Sequence, residues 1–185
     1  MTNFDCQTGR SEVNQGRVIG HKGPVLDIKW NPFNDNVIAS SSDDCTVKLW
    51  HIPEGGLIRS LADPLVTLAE HKRRVPFIDW HPTANGILFS VGFDHSILVW
   101  NVSGAASGRA QLINTIDCHP DTIQSISLNR DGSLLASTCK DKRVRVIEPR
   151  TGRVVAIGCG HQGSKSSKVV FLGDTGRLLT TGFSR

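Results

Sequence analysis

The sequence predicts an all-β fold, a partial β-propeller of three complete four-stranded blades plus half of a fourth. Three observations predict it: a residue-for-residue repeat, apolar alternation of period two, and turn signals at regular intervals. The repeat is the strongest of them. His21, Ser40, Asp44 and Trp50 recur at an offset of fifty as His71, Ser90, Asp94 and Trp100, with the same internal spacings of 19, 4 and 6. A third copy follows as His119, Ser137 and Asp141, its first spacing one residue shorter and its tryptophan position held by Ile147. Self-similarity at this period marks a repeat architecture, so each local motif has to be read through the repeating unit.

Within each unit the elements follow one order. A Gly/polar loop opens it, and a first strand alternates apolar and polar residues: Val25, Leu26, Ile28, Trp30, then Val75, Phe77, Ile78, Trp80, then Ile123, Ile126, Leu128. A fourth begins at Val169-Val170-Phe171. Each first strand stops at a turn signal, NPFNDN, HPTANG, NRDGS or GDTGR, where Asn, Asp and Gly supply local hydrogen bonds and positive φ. A second short strand (VIAS, ILFS, LLAS, LLTT), an Asp-containing turn and a third strand (TVKLW, SILVW, VRVIE) come next. A longer loop then leads to a closing segment, LVTLA, QLINTI or VVAIG. Helical periodicity is missing throughout. Four short antiparallel strands repeated at 47 to 50 residues describe propeller blades. The expected units are a poorly ordered N-terminal segment over 1–17 and repeats over 18–65, 66–110, 111–153 and a shortened 154–185.

Bulk composition narrows the class. At 185 residues, 38% apolar and 21% charged, the chain reads as a soluble globular protein. It has no apolar run long enough for a transmembrane segment, and MTNFDCQTGR lacks an apolar signal core. Five cysteines without a CxxC pair predict free thiols in a reducing, cytoplasmic setting. The net charge of +4 permits an acidic partner without calling for nucleic acid.

The recurring Ser, His and Asp invite comparison with a catalytic triad. Three copies on three blades argue against it, because an enzyme needs one nucleophile at one site. The expected role is structural: a chain of hydrogen bonds from Trp through Ser and His to Asp that pins the strands of each blade together. No catalytic, cofactor-binding or metal-ligating residue is expected elsewhere. Gly158 to Gly163 fits G-x-G-x-x-G, but a loop and a strand follow where a dinucleotide site needs a helix and a later acidic residue. Cys118-His119 and Cys159/His161 are close pairs without the four-ligand spacing of a zinc site.

The pattern GH…SxDxTVxLW is the WD40 signature. Longer stretches, VLDIKWNP, NDNVIASSSDDCTVKLWHIPEGGL, RRVPFIDWHPTANGILFS, DGSLLASTCKDKRVRVIEPRTGR and RLLTTGFSR, closely resemble the coronins over about residues 16 to 185. The third copy is the most specific, since coronins too lack the tryptophan at the place of Ile147. The resemblance implies a WD40 β-propeller of seven blades followed by an extension and a coiled coil. It also implies a non-catalytic protein that binds actin filaments, acts with the Arp2/3 complex and cofilin, and is cytoplasmic and cytoskeleton-associated. This chain stops after the second strand of the fourth repeat, so a truncated chain is expected. A closed four-bladed ring would need two more strands, and only Arg17-Val18-Ile19 could supply one. Open ends leave apolar blade faces uncovered, which predicts marginal stability and association.

Function should then lie in the loops. Lys72, Arg73 and Arg74 fall in the loop leading into the second blade, Lys140, Lys142 and Arg143 flank the Asp turn of the third, and Lys165 and Lys168 fall in the loop leading into the fourth. Both loop types emerge at one end of a propeller, so the three clusters are expected to form a basic arc for an acidic partner. Actin filaments are the first candidate for that partner. An anionic phosphoinositide membrane and another complex served by a generic WD40 scaffold are the alternatives.

Overall fold

In the computed structural model, residues 16–163 and 165–183 are described; the segment expected to be poorly ordered falls almost wholly outside them. Blade one is an antiparallel sheet of β1 (Val25–Asn31), β2 (Asn34–Ser42), β3 (Val47–His51) and β4 (Val66–Leu68), in that spatial order. Blade two comprises β5 (Phe77–Trp80), β6 (Ile87–Val91), β7 (Ile97–Asn101) and β8 (Gln111–Ile116), with one 3-10 turn at Ala105–Ser107. Blade three comprises β9 (Ile123–Leu128), β10 (Leu135–Cys139), β11 (Arg143–Glu148) and β12 (Arg153–Cys159). The fourth is a two-stranded pair, β13 (Lys168–Phe171) and β14 (Leu178–Thr181). The first strands of all four lie innermost, around a cavity of about 310 Å³ that Asp27, Phe77, Asp79, Ile126 and Lys168 help to line.

Alternation along each strand explains how the blades stack. On β6, Leu88 packs with Leu49, Trp80 and Trp100 between blades one and two, while its neighbour Phe89 packs with Ile97, Ile123 and Ile147 between blades two and three. Both faces of blade two are thus buried, which is why its strands read as apolar runs rather than as simple alternation. Full burial of one such side chain stabilises by about 1.5–3 kcal/mol. Polar clasps add register. Ile78 N–H donates to Asp27 Oδ2 at 3.1 Å, Trp80 Nε1–H donates to the Lys29 carbonyl at 3.1 Å, and the Thr83 hydroxyl donates to the Asp131 carbonyl at 2.7 Å.

The outer faces differ. On β1, Val25, Ile28 and Trp30 are each more than half exposed, and Val170, Leu179 and Phe183 stand open at the fourth blade. Val18, in the stretch considered as a closing strand, forms a parallel bridge with Leu61 of blade one. The hydrogen bonds Ile19 N–H to Leu61 O (2.9 Å) and Leu61 N–H to Arg17 O (2.7 Å) flank that bridge. The stretch therefore lies along blade one's own outer segment and does not complete the fourth blade.

Candidate interaction surface

The turn between the second and third strands recurs with one backbone. Cys45, His95 and Lys142 each adopt positive φ (67°, 69° and 65°) one residue after Asp44, Asp94 and Asp141. A non-glycine residue held there costs about 1–2 kcal/mol, so something must fix the turn. In blade one the Asp44 carboxylate does so. It accepts from Thr46 N–H (3.0 Å), the Thr46 hydroxyl (2.6 Å) and Lys22 N–H (2.8 Å), and it meets His21 Nδ1 at 2.9 Å. His21 Nε2 lies 2.7 Å from Ser40 Oγ, which also accepts Trp50 Nε1–H at 2.8 Å.

Blade two repeats the network with His71 Nδ1 3.0 Å from Asp94, His71 Nε2 2.8 Å from Ser90 Oγ, and Trp100 Nε1–H donating to Ser90 at 2.8 Å. One hydrogen-bond direction satisfies every group: Trp N–H to Ser oxygen, Ser hydroxyl to Nε2, and Nδ1–H to carboxylate. Burial pushes the His71 pKa below its ordinary value, in keeping with that neutral imidazole, although the Asp94 contact opposes it. Burial also pushes the Asp94 carboxyl up, but its hydrogen bonds from Lys72 N–H, His71 and Ser96 outweigh this and hold it below the usual range. Ser90 and Ser137 are sealed from solvent (0% and 1% exposed), so no substrate can reach these hydroxyls.

Blade three departs from the expected network. His119 Nε2 still meets Ser137 Oγ at 2.8 Å, but its Nδ1 faces the Cys118 thiol at 3.5 Å. Asp141 pairs with Arg145 instead, Nη1 to Oδ1 at 3.2 Å and Nη2 to Oδ2 at 2.5 Å. Burial and then the Arg145 charge push the His119 pKa down to about 4. Ile147 fills the tryptophan position and is fully buried. Arg145 was not singled out by spacing because a lone basic residue in VRVIE looks like a solvated strand face. The fourth blade carries a remnant, His161 Nε2 3.2 Å from Thr180 Oγ1. Its spacing of 19 was present in the sequence, with Thr in place of Ser.

The residues of the expected basic clusters sit on loops and turns of blades two and three and at the start of the fourth. Lys72 and Arg73 are exposed beside the Asp94 turn, to which Lys72 N–H donates at 2.9 Å. Lys140, Lys142 and Arg143 are exposed on the Asp141 turn, and Gly160 N–H donates to the Lys142 carbonyl at 2.8 Å, tying that turn to the chain leading into the fourth blade. Three of the cations are less free than the sequence suggests. Arg74 lies 4.0 Å over the Phe93 ring and 3.8 Å from Asp43 of blade one. Lys165 lies over Phe183 at 4.7 Å. Lys168 is the first residue of β13 rather than a loop residue, and its ammonium sits 5.0 Å over Phe77 of blade two. Such cation–ring contacts contribute about 0.5–1 kcal/mol at exposed sites and hold the charge in place.

The described cysteines, Cys45, Cys118, Cys139 and Cys159, are free thiols. Among the described residues no three His, Cys, Asp or Glu side chains are placed to hold a metal ion, and no helix is long and apolar enough to cross a membrane.

Comparison with known proteins agrees with the fold. The WD domain, G-beta repeat family matches residues 13–51, 62–101 and 110–148. Human Coronin-2A is 48% identical over 179 residues, covering 97% of this chain and 34% of that protein, and human Coronin-2B is 53% identical over 180 residues, covering 97% and 36%. The crystal structure of the WD40 domain from Toxoplasma gondii coronin superposes with a TM-score of 0.82 at 30% identity, covering 89% of this chain and 42% of that one. The chain spans about a third of the length of the curated relatives it matches. It belongs to the WD40-repeat proteins and, within them, to the coronin family.

Proposed function

We propose that this chain is a non-catalytic docking module of the actin cytoskeleton whose basic rim binds the acidic surface of an actin filament. The observation that carries the reading is the exposure of Lys72 and Arg73 in a loop hydrogen-bonded to the Asp94 turn of blade two, and of Lys140, Lys142 and Arg143 on a blade-three turn hydrogen-bonded to the chain leading into the fourth blade. Opposite charge across such a surface speeds encounter and fixes orientation more than it adds raw affinity. Action with the Arp2/3 complex or cofilin, and a cytoskeleton-associated location, follow from the family resemblance and belong to the same proposal.

Filament co-sedimentation tests it. Arg73→Glu should weaken pelleting, and binding by the unmodified chain should fall as salt is raised, because exposed charges are screened within about 8 Å at physiological ionic strength. Arg74→Glu is the poorer probe, since Arg74 also packs on Phe93 and pairs with Asp43. Unchanged pelleting by a folded Arg73→Glu chain would remove that residue from the contact. Flotation with phosphoinositide vesicles in place of pelleting would favour a membrane surface, and neither response would favour a scaffold for another complex.

A further inference from the structure

The same tight turn is held by different chemistry in blade three. Arg145 stands in register opposite Ser137, as Leu98 stands opposite Ser90 and Lys48 opposite Ser40. In blades one and two the residue at this place leaves the Asp alone and a histidine holds it. In blade three the guanidinium fork takes both carboxylate oxygens, and the Arg145 and Asp141 side chains are 6% and 16% exposed. A guanidinium makes two parallel bonds and stays charged throughout the accessible pH range, whereas an imidazole offers one N–H and titrates. The carboxylate so held also accepts from Arg143 N–H at 3.1 Å. The pair is neutral overall, so it anchors the turn that carries Lys140, Lys142 and Arg143 while leaving their net positive charge undiminished.

We propose that Arg145 is the positioning residue of the blade-three docking turn: it has taken Asp141 from His119 and holds Lys140, Lys142 and Arg143 in the arrangement that meets the acidic partner. Beside it lies a dormant His–Asp latch, since His119 keeps its serine contact but has no bond to the carboxylate. The docking role of this turn rests on the filament reading above; the exchange of latches does not.

The test replaces Arg145 with the residue that blade two carries at the same register, Arg145→Leu, in the full chain. The His119 ring titration is followed by NMR alongside filament pelleting. The groups facing His119 are Cys118, Ser137, Arg145, Asp141, Asp117 and His95. With Arg145 gone, His119 should close on Asp141 and its midpoint should rise from about 4 toward the ordinary 6.5 without passing it, since His71 in the intact latch of blade two is itself held below that value by burial, while filament affinity falls about threefold to tenfold. Loss of the Arg145 charge would by itself lift the midpoint, so a role confined to packing is read from Arg145→Lys, where it would lower stability and leave the midpoint where it is. Should Arg145→Leu not fold, Arg145→Lys keeps the charge without the fork, and a smaller rise with weaker pelleting is expected. An unmoved midpoint in a folded variant overturns the proposal, and so does a moved midpoint with unchanged pelleting. Failure of the unmodified chain to pellet would defeat the filament reading instead, and the titration would still decide which residue holds Asp141.

Discussion

Blade two and blade three share a backbone and differ in what closes it. In blade two a neutral imidazole links Ser90 to Asp94, and Trp100 caps the network. In blade three the tryptophan is Ile147, the imidazole has lost the carboxylate, and a buried ion pair holds the turn. The repeat therefore does not require histidine at the Asp turn. It requires that a carboxylate beside a positive-φ residue be satisfied, and either a neutral donor or a cation can do so.

The comparison can be broken most sharply by removing the carboxylates. Asp141→Ala leaves the Arg145 charge buried without its partner and should cost about 3–5 kcal/mol in denaturant unfolding. Asp94→Ala leaves a neutral His71 and should cost less, about 1–3 kcal/mol. Equal costs would show that the two latches are energetically alike. Trp100→Ala removes a buried indole and the N–H that donates to the Ser90 oxygen, at about 3–5 kcal/mol, while Ile147→Ala should fall toward the lower end of the 2–5 kcal/mol range for aliphatic truncation.

Acidification separates the same blades more gently. The His119 pKa is about 4 folded against 6.5 unfolded, so between those values the unfolded chain binds the extra proton. Its contribution is fully present above pH 6.5 and is lost as pH falls toward 4, a change on the order of 3 kcal/mol. His119→Gln should flatten the stability profile in that window; an unchanged slope would assign the acid sensitivity to His71, whose pKa is also lowered by burial. The smallest effect belongs to the exposed pair Arg74–Asp43, 3.8 Å apart. Arg74→Gln should cost under about 1 kcal/mol.

Much of this was legible in the sequence, for a physical reason. His, Ser, Asp and Trp recur at fixed spacings because four strands of fixed rise place them at fixed points of one hydrogen-bonded network, so the four-stranded blades follow from arithmetic. What escaped was partner exchange. Arg145 occupies a strand position filled by Lys48 and Leu98 in the other blades, and nothing in its spacing tells a solvated cation from a buried one. The packing of Lys168 on Phe77 was hidden for a similar reason, since it joins residues of blades two and four across the axis. The open faces of β1 and of the fourth blade were expected from the repeat count, and Trp30 at 53% exposed is their clearest sign. If those faces seek cover, the isolated chain should elute as concentration-dependent assemblies, and a sharp monomer with a cooperative thermal transition would sink that expectation.

Charge reversal in each of two blades probes the proposed basic rim. Lys72 and Arg73 in one variant, and Lys142 and Arg143 in another, are changed to glutamate and pelleted with actin filaments across a salt series. Each variant is expected to lose about tenfold in affinity at low salt and to show a shallower salt dependence than the unmodified chain. Folded variants that pellet like the unmodified chain at every salt concentration would contradict it.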